Sequence, residues 1–105
     1  ESATFTAHAL LDRERVTLLL RSLPGSVLRG KGILMFADEQ RRQSLFQRVG
    51  KRWSLIPGQE VESTTSNLVL IFPRGALDSL DFAKQFEQCC QRPSGDSDSR
   101  GQGVK

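Results

Sequence analysis

The sequence predicts one α+β domain with two layers, in which a mainly antiparallel four-stranded sheet carries two helices on one face. Two segments have the 3.6-residue apolar spacing of helices, and four have the alternating or continuous apolar pattern of strands. Three of those strands follow one another with no helix between them, so the predicted order is β-α-β-β-β-α. A chain of 105 residues is long enough for one such core. We expect the domain to span residues 1–91.

The chain is predicted to begin with a strand followed by an amphipathic helix. In TFTAHAL, residues 4–10, apolar residues alternate with polar ones, as in a half-buried strand. Asp12 is the expected N-cap of the helix, because its carboxylate can accept hydrogen bonds from the first free amides. Pro24 and Gly25 end the helix. Four residues at i, i+3, i+4 and i+7 form its apolar stripe: Val16, Leu19, Leu20 and Leu23.

The second and third strands are predicted at residues 27–37 and 44–56, and the short polar linker between them predicts a hairpin. Alternation in the third strand predicts Phe46 on one face and three residues on the other: Val49, Trp53 and Leu55. The dipeptide Gly50-Lys51 fits either a bulge within this strand or a second tight turn. Both alternatives stay open at this point.

The remaining elements are a buried strand and a closing helix. The continuous apolar run LVLIF, residues 68–72, predicts a central strand that is covered on at least one face. Asp78 is the expected N-cap of the last helix, whose apolar stripe contains Phe82, Phe86 and Cys89. Residues 92–105 consist mainly of Pro, Gly, Ser and charged residues. We expect them to form a disordered polar tail, because they contain too few apolar side chains to bury.

Composition favours a cytoplasmic domain. The net charge of +3 and the pI of about 9.3 permit nucleic-acid binding without requiring it. No apolar run approaches the roughly 20 residues of a membrane span, and no charged start leads into a signal segment, so we expect no membrane partner. Cys89 and Cys90 are neighbours and are poorly placed for a disulfide with each other. We expect reduced thiols.

One stretch partly matches an RNA-binding strand. From Arg29, LRGKGILMF follows the RRM signature at its first, second, fourth and last positions, but Lys31 and Ile33 replace aromatic residues. The predicted strand order also differs from that of an RRM. Phe36 and Trp53 are better interpreted as core residues. A basic module that binds single-stranded nucleic acid is therefore an alternative, and we do not expect nucleic acid as the partner.

Residues with metal-binding or catalytic chemistry are sparse. His8, Cys89 and Cys90 are weak candidate metal ligands, and neighbouring residues on a helix point about 100° apart. We interpret His8 as a surface histidine or one whose hydrogen bonds are satisfied within the fold, and both cysteines as buried thiols. An accessory metal-binding domain is a further alternative. The chain contains one His, no G-x-S-x-G motif and no phosphate-binding glycine motif. We expect no catalytic, metal or cofactor-binding site, and hence no enzyme.

A group of cations surrounds the predicted hairpin. Arg29 and Lys31 alternate with Gly30 and Gly32, so both cations are expected on one side of the second strand, with the glycines leaving the other side bare. Two further cations come from the following strand segment. The candidate interaction surface therefore consists of Arg29, Lys31, Arg48 and Arg52.

Several linked motifs resemble the C-terminal domain of the CobW family of P-loop GTPases and metallochaperones, which includes CobW- and YjiA-like proteins. The segments are LPGSVLRGKGILMFAD, SLFQRVGKRWSL and LVLIFPRGALDSLDFAKQFEQC. The family's Arg-x-Lys-Gly element falls on Arg29, Lys31 and Gly32. Its Phe-Gln-x-Val-Gly element falls on Phe46, Gln47, Val49 and Gly50, and its strand-ending aromatic falls on Trp53. Its turn before the last helix falls on Leu77 and Asp78. The sequence LIFPRG departs from the Phe-Ile-Gly of many members.

The resemblance implies a non-catalytic regulatory or protein-interaction domain. Its parent would be a GTPase involved in zinc or cobalt delivery or in cobalamin synthesis, with GTP and a divalent metal as the parent's cofactors and none in this chain. Walker motifs and a Cys-x-Cys-Cys metal site are absent here. We expect a piece of a longer protein. The partners that the resemblance implies are the N-terminal GTPase domain of the same protein and a client metalloprotein or a second copy.

Overall fold

The computed structural model describes residues 1–90, which contain five strands and two helices. In chain order these are β1 (Ser2–Ala7), α1 (Arg13–Arg21), β2 (Arg29–Leu34), β3 (Arg42–Val49), β4 (Arg52–Glu60), β5 (Ser66–Ile71) and α2 (Ser79–Gln88), with a 3₁₀ turn at Ala37–Glu39. The predicted α+β class is confirmed, although the sheet has five strands where four were predicted. The predicted tail at residues 92–105 lies outside the described residues.

The additional strand arises because Gly50 and Lys51 form a tight turn. Gly50 has a φ of 60°, a left-handed conformation that glycine adopts without a Cβ penalty, and its N–H donates to the Leu28 carbonyl at 2.8 Å. The chain reverses there, and Val49 pairs with Arg52. The predicted single strand at residues 44–56 is therefore the hairpin of β3 and β4.

This turn also changes which side chains share a face. In a hairpin, directly paired residues face the same side, and the register pairs Phe46 with Leu55 and Arg48 with Trp53. Phe46, Leu55 and Trp53 therefore lie on one face and Val49 on the other. The predicted grouping of Val49 with Trp53 and Leu55 is wrong, because it assumed unbroken alternation through residues 50 and 51.

The sheet order is β1-β5-β2-β3-β4, and all neighbouring strands are antiparallel. β5 lies between β1 and β2, so the LVLIF run forms a central strand, as predicted. Leu68 and Leu70 in this strand are fully buried, whereas Val69 and Ile71 are exposed. The sheet is therefore covered on one face only.

Both helices pack on the covered face, and together with the connecting segments they supply the part of the core that lies outside the sheet. The predicted stripe of α1 is buried, as are Phe82 and Phe86 of α2. The rings of Phe5 and Phe82 meet edge to face with centroids 4.7 Å apart, which attaches α2 to β1. No helix within residues 1–90 has the length and apolarity to cross a bilayer.

Both predicted N-caps are confirmed. The Asp12 carboxylate accepts from the backbone N–H of Glu14 at 3.0 Å, and the Asp78 carboxylate accepts from the N–H of Asp81 at 3.1 Å. The N–H of Leu11 donates to the Met35 carbonyl, and the N–H of Asp12 donates to the Cys89 carbonyl. These two backbone hydrogen bonds join the end of β2 to the end of α2. These bonds close the core at the end opposite the β3–β4 turn.

Candidate interaction surface

The sheet face opposite the helices, called the open face below, is built from alternate residues of each strand. The cross-strand register arranges its side chains on β2 to β5 in three rows. The first row contains Ile71, Arg29, Val49 and Arg52. The second contains Val69, Lys31, Gln47 and Ser54, and the third contains Asn67, Ile33, Leu45 and Ile56.

The centre of the open face is apolar. A shallow groove of about 580 Å³ crosses it, and its lining includes four strands. Five of the apolar side chains there are exposed, including Val69 at 37% and Ile56 at 55%. Contiguous exposed apolar side chains often mark a binding surface, whereas single scattered ones are normal on any protein. The open face is therefore the strongest candidate for contact with another molecule.

Three of the four predicted interaction residues lie on this face. Arg29, Lys31 and Arg52 are exposed, and none of them pairs with a carboxylate within residues 1–90. Arg29 and Arg52 are separated by Val49 in the same row, which places their Cα atoms about 10 Å apart. The apolar centre is thus bordered by cations whose charge is not compensated by the described part of the domain.

The glycines of β2 face the helices. The position that a Cβ would occupy on Gly30 is 2.9 Å from Cδ2 of Leu70, and the corresponding position on Gly32 is 2.7 Å from the Asn67 carbonyl oxygen. The glycine side of β2 is therefore filled by neighbouring residues. The two cations of β2 lie on the opposite side, at the open face.

Arg48 does not belong to the open face. Its pairing with Trp53 places it on the helix-covered face, where the residue is only 5% exposed. Its Nη2 donates to the Pro24 carbonyl at 3.0 Å, and burial lowers the pKa of the guanidinium. The interaction surface predicted from the sequence is therefore corrected to Arg29, Lys31 and Arg52.

The weak metal-ligand candidates do not form a cluster. Among residues 1–90, no group of three His, Cys, Asp or Glu side chains could hold an ion. His8 is exposed, and Cys90 is half-buried. Cys89 is buried, its thiol donates to the Gln85 carbonyl at 3.3 Å, and burial raises the pKa of that thiol. A protonated thiol is a poor metal ligand and a poor nucleophile.

Aromatic side chains are absent from the open face of the described region. All six Phe residues of the chain are buried. Trp53, the only Trp, packs on the covered face with its ring centroid 6.2 Å from that of Phe46. Single-stranded nucleic acid is bound by stacking bases on exposed aromatic rings. This placement agrees with the interpretation of Phe36 and Trp53 as core residues and removes the stacking platform that the nucleic-acid alternative requires.

The sequence pattern predicts the cations of this surface but not its apolar centre. The missed residues are Ile33, Leu45, Val49, Ile56, Val69 and Ile71. The LVLIF run contained a usable signal, because a continuously apolar strand in an antiparallel sheet with helices on one face must expose alternate apolar residues on the other.

Comparisons with known proteins agree with the architecture. The family model described as "Cobalamin synthesis protein cobW C-terminal domain" matches residues 1–90. Two solved structures share the fold: zinc-bound YjiA GTPase from E. coli, with a TM-score of 0.76, and a zinc-bound triple mutant of YjiA GTPase, with a TM-score of 0.77. Each is 22% identical to this chain over 87% of its length.

The chain spans only 30% of the length of either YjiA structure. A comparison with curated proteins found no match. The family model nevertheless covers the whole described region. The chain belongs to the CobW C-terminal domain family.

Proposed function

We propose that this domain is a non-catalytic protein-interaction domain of a CobW-type GTPase that takes part in metal delivery. The observation that carries this proposal is the open face, where exposed apolar side chains are bordered by Arg29, Lys31 and Arg52. Protein interfaces commonly combine an apolar centre with a polar or charged rim. The proposal assigns this face to contact with a folded protein surface.

The family and the coverage of the YjiA structures support a particular set of partners. Because the chain matches 30% of those GTPases, the first partner is the N-terminal GTPase domain of the same polypeptide. A client metalloprotein, or a second copy, then contacts the open face when the GTPase domain leaves it accessible. GTP and a divalent metal act in the parent protein, and the nucleotide state alters which partner the face contacts.

The uncompensated cations set the partner's chemistry. Three positive side chains without carboxylate partners in residues 1–90 favour a surface that carries Asp or Glu around an apolar centre. The cations would contribute mainly to association rate and orientation, because exposed charges are screened by salt. The buried apolar area would contribute most of the affinity.

The test uses the full-length parent protein with paired variants. We expect Ile33→Ser with Val69→Ser to weaken partner binding about tenfold or more, because centrally placed apolar contacts cost about 1 kcal/mol or more each when truncated. Leu80→Ser is the control, since Leu80 is 80% exposed but lies on α2. Lys31→Glu is compared in the same way with Lys84→Glu on α2.

The readouts are partner affinity, self-association by sedimentation and the GTPase rate. Effects confined to the open-face variants support the proposal. If these variants match the wild type and the α2 controls in all three readouts, the proposal is wrong.

A further inference from the structure

A second site lies on the covered side of the sheet, at the β3–β4 turn. A cavity of about 250 Å³ that opens to solvent lies there between the end of α1, the loop that follows it and the hairpin. Its lining contains three cations and no carboxylate: Arg21, Leu23, Gly25, Arg48, Lys51 and Trp53. A small cavity with this many positive charges and no acidic residue has the electrostatics of an anion site.

Separate elements position the three cations. Arg21 is the last residue of α1, Arg48 is the next-to-last residue of β3, and Lys51 comes from the tight turn. The Lys51 side chain lies against Gly25, because Cε is 3.1 Å from the position that a Cβ on Gly25 would occupy. None of the three forms an ion pair within residues 1–90. Their charges are therefore available to a ligand.

Arg48 provides the independent observation that points to a ligand. Arg48 lines the cavity, and only 5% of its surface is exposed. Its Nη2 donates to the Pro24 carbonyl, but its buried Nε–H has no acceptor among the described residues. Buried donors are nearly always satisfied, and a buried cation is costly without a counter-charge. An anion in the cavity would supply the counter-charge that the buried guanidinium lacks.

We propose that this cavity binds a tetrahedral oxyanion, either free phosphate or the terminal phosphate of a monoester, with Arg48 as the central donor. The guanidinium presents N–H groups in a fork that matches the oxygens of such an anion. Arg21 and Lys51 add flanking charge. A single water occupies about 30 Å³ of liquid, so the cavity is large enough for an ion of this class. The site lies on the opposite side of the sheet from the open face and does not depend on the proposed function.

Trp53 provides a direct readout, because it is the only Trp in the chain and lines the cavity. The full chain is titrated with inorganic phosphate and, in a second arm, with glycerol phosphate, while sodium chloride keeps the ionic strength constant. We expect a saturable change in Trp fluorescence and a rise in unfolding temperature, since a ligand that binds only the native state stabilises it. Tighter binding of the ester assigns the site to a phosphate on a larger molecule, and tighter binding of phosphate assigns it to the free ion.

Variants connect the signal to the cavity. Arg48→Met is expected to lower the affinity about tenfold or more, because it removes a charge-assisted hydrogen bond. Arg21→Gln and Lys51→Gln alter exposed residues that can be changed without disturbing the core, and each is expected to lower the affinity about two- to fivefold. Arg29→Gln and Lys31→Gln on the open face are matched controls and should bind as the wild type does. The proposal is overturned if neither anion gives a saturable response, or if the open-face controls weaken binding as much as the cavity variants.

Discussion

At the residue scale, the most specific polar contact joins α1 to the 3₁₀ turn. The Nε and Nη2 of Arg13 donate to the two carboxylate oxygens of Asp38 at 2.7 and 3.1 Å. The guanidinium carbon of Arg13 also lies 4.3 Å from the centroid of the Phe36 ring. The hydrogen bond from Arg13 holds the pKa of Asp38 below its usual value. This pair therefore stabilises the fold in a way that depends on pH.

Asp38→Asn tests that dependence. When the pKa of a carboxyl is lower in the folded than in the unfolded state, its ionised form stabilises the fold at pH values above the unfolded-state pKa. This contribution is lost as the pH falls through the folded-state pKa. Because both side chains are partly exposed, we expect the variant to lose at most about 1 kcal/mol of unfolding free energy at pH 7. The deficit should shrink at pH 3, below the usual Asp pKa of about 3.9.

Urea unfolding at the two pH values measures this difference, with Glu62→Gln as a control in an exposed residue that forms no ion pair within residues 1–90. A deficit for Asp38→Asn that is equally large at pH 3 and pH 7 would show that the charge of Asp38 does not provide the stabilisation.

At the scale of elements, β2 depends on the absence of a side chain at Gly32. A Cβ at this position would lie 2.7 Å from the Asn67 carbonyl oxygen and 3.3 Å from the Leu68 Cα, both in the backbone of β5. Backbone in the middle of a sheet cannot move aside as a side-chain end can. The close approach of β2 to β5 therefore requires glycine here.

We expect Gly32→Ala to lower the free energy of unfolding by about 1–3 kcal/mol, the range for overpacking a core. Gly25→Ala is the matched control, because its new methyl group would meet only the flexible end of Lys51. Chemical denaturation of both variants gives the comparison. If Gly32→Ala is no more destabilising than Gly25→Ala, β5 does not constrain β2 in this way.

The elements that the sequence predicted correctly are those with local causes. The caps at Asp12 and Asp78, and the apolar stripes behind them, depend on residues within two turns of the same helix. The missed strand depends on whether Gly50-Lys51 is a bulge or a turn, and that choice is made by pairing between β3 and β4. The error then carried over to side-chain facing, because one reversal of the chain shifts the alternation of every later residue.

The cations of the candidate site divide in the same way between local and tertiary causes. Arg29 and Lys31 were predicted on one side of a strand from alternation alone, and the structure places both on the open face. Arg48 was misplaced because its face depends on tertiary pairing across the hairpin. The facing of Ile56 also depends on the reversal at Gly50-Lys51, so its exposure could not be read from the local pattern of β4.

At the scale of the whole molecule, the sheet separates two surfaces of different chemistry. The open face combines an apolar centre with Arg29, Lys31 and Arg52, whereas the helix side contains the core and the cavity around Arg48. Successive residues of β3 alternate between these two sides. Variants can therefore be designed for one surface without altering the other, which keeps the two proposals experimentally separate.

The central claim is that the open face contacts a folded protein. Site-specific photo-crosslinking tests it most directly, with a photoreactive residue at Val69 in the full-length protein and a control at Leu80 on α2, each expressed in cells and mapped by peptide mass spectrometry. We expect abundant crosslinks from position 69 to defined peptides of the GTPase domain, of a second copy or of a metalloprotein, and few from position 80. Crosslinking from position 69 that is no greater than from position 80 would show that the open face is not a protein interface.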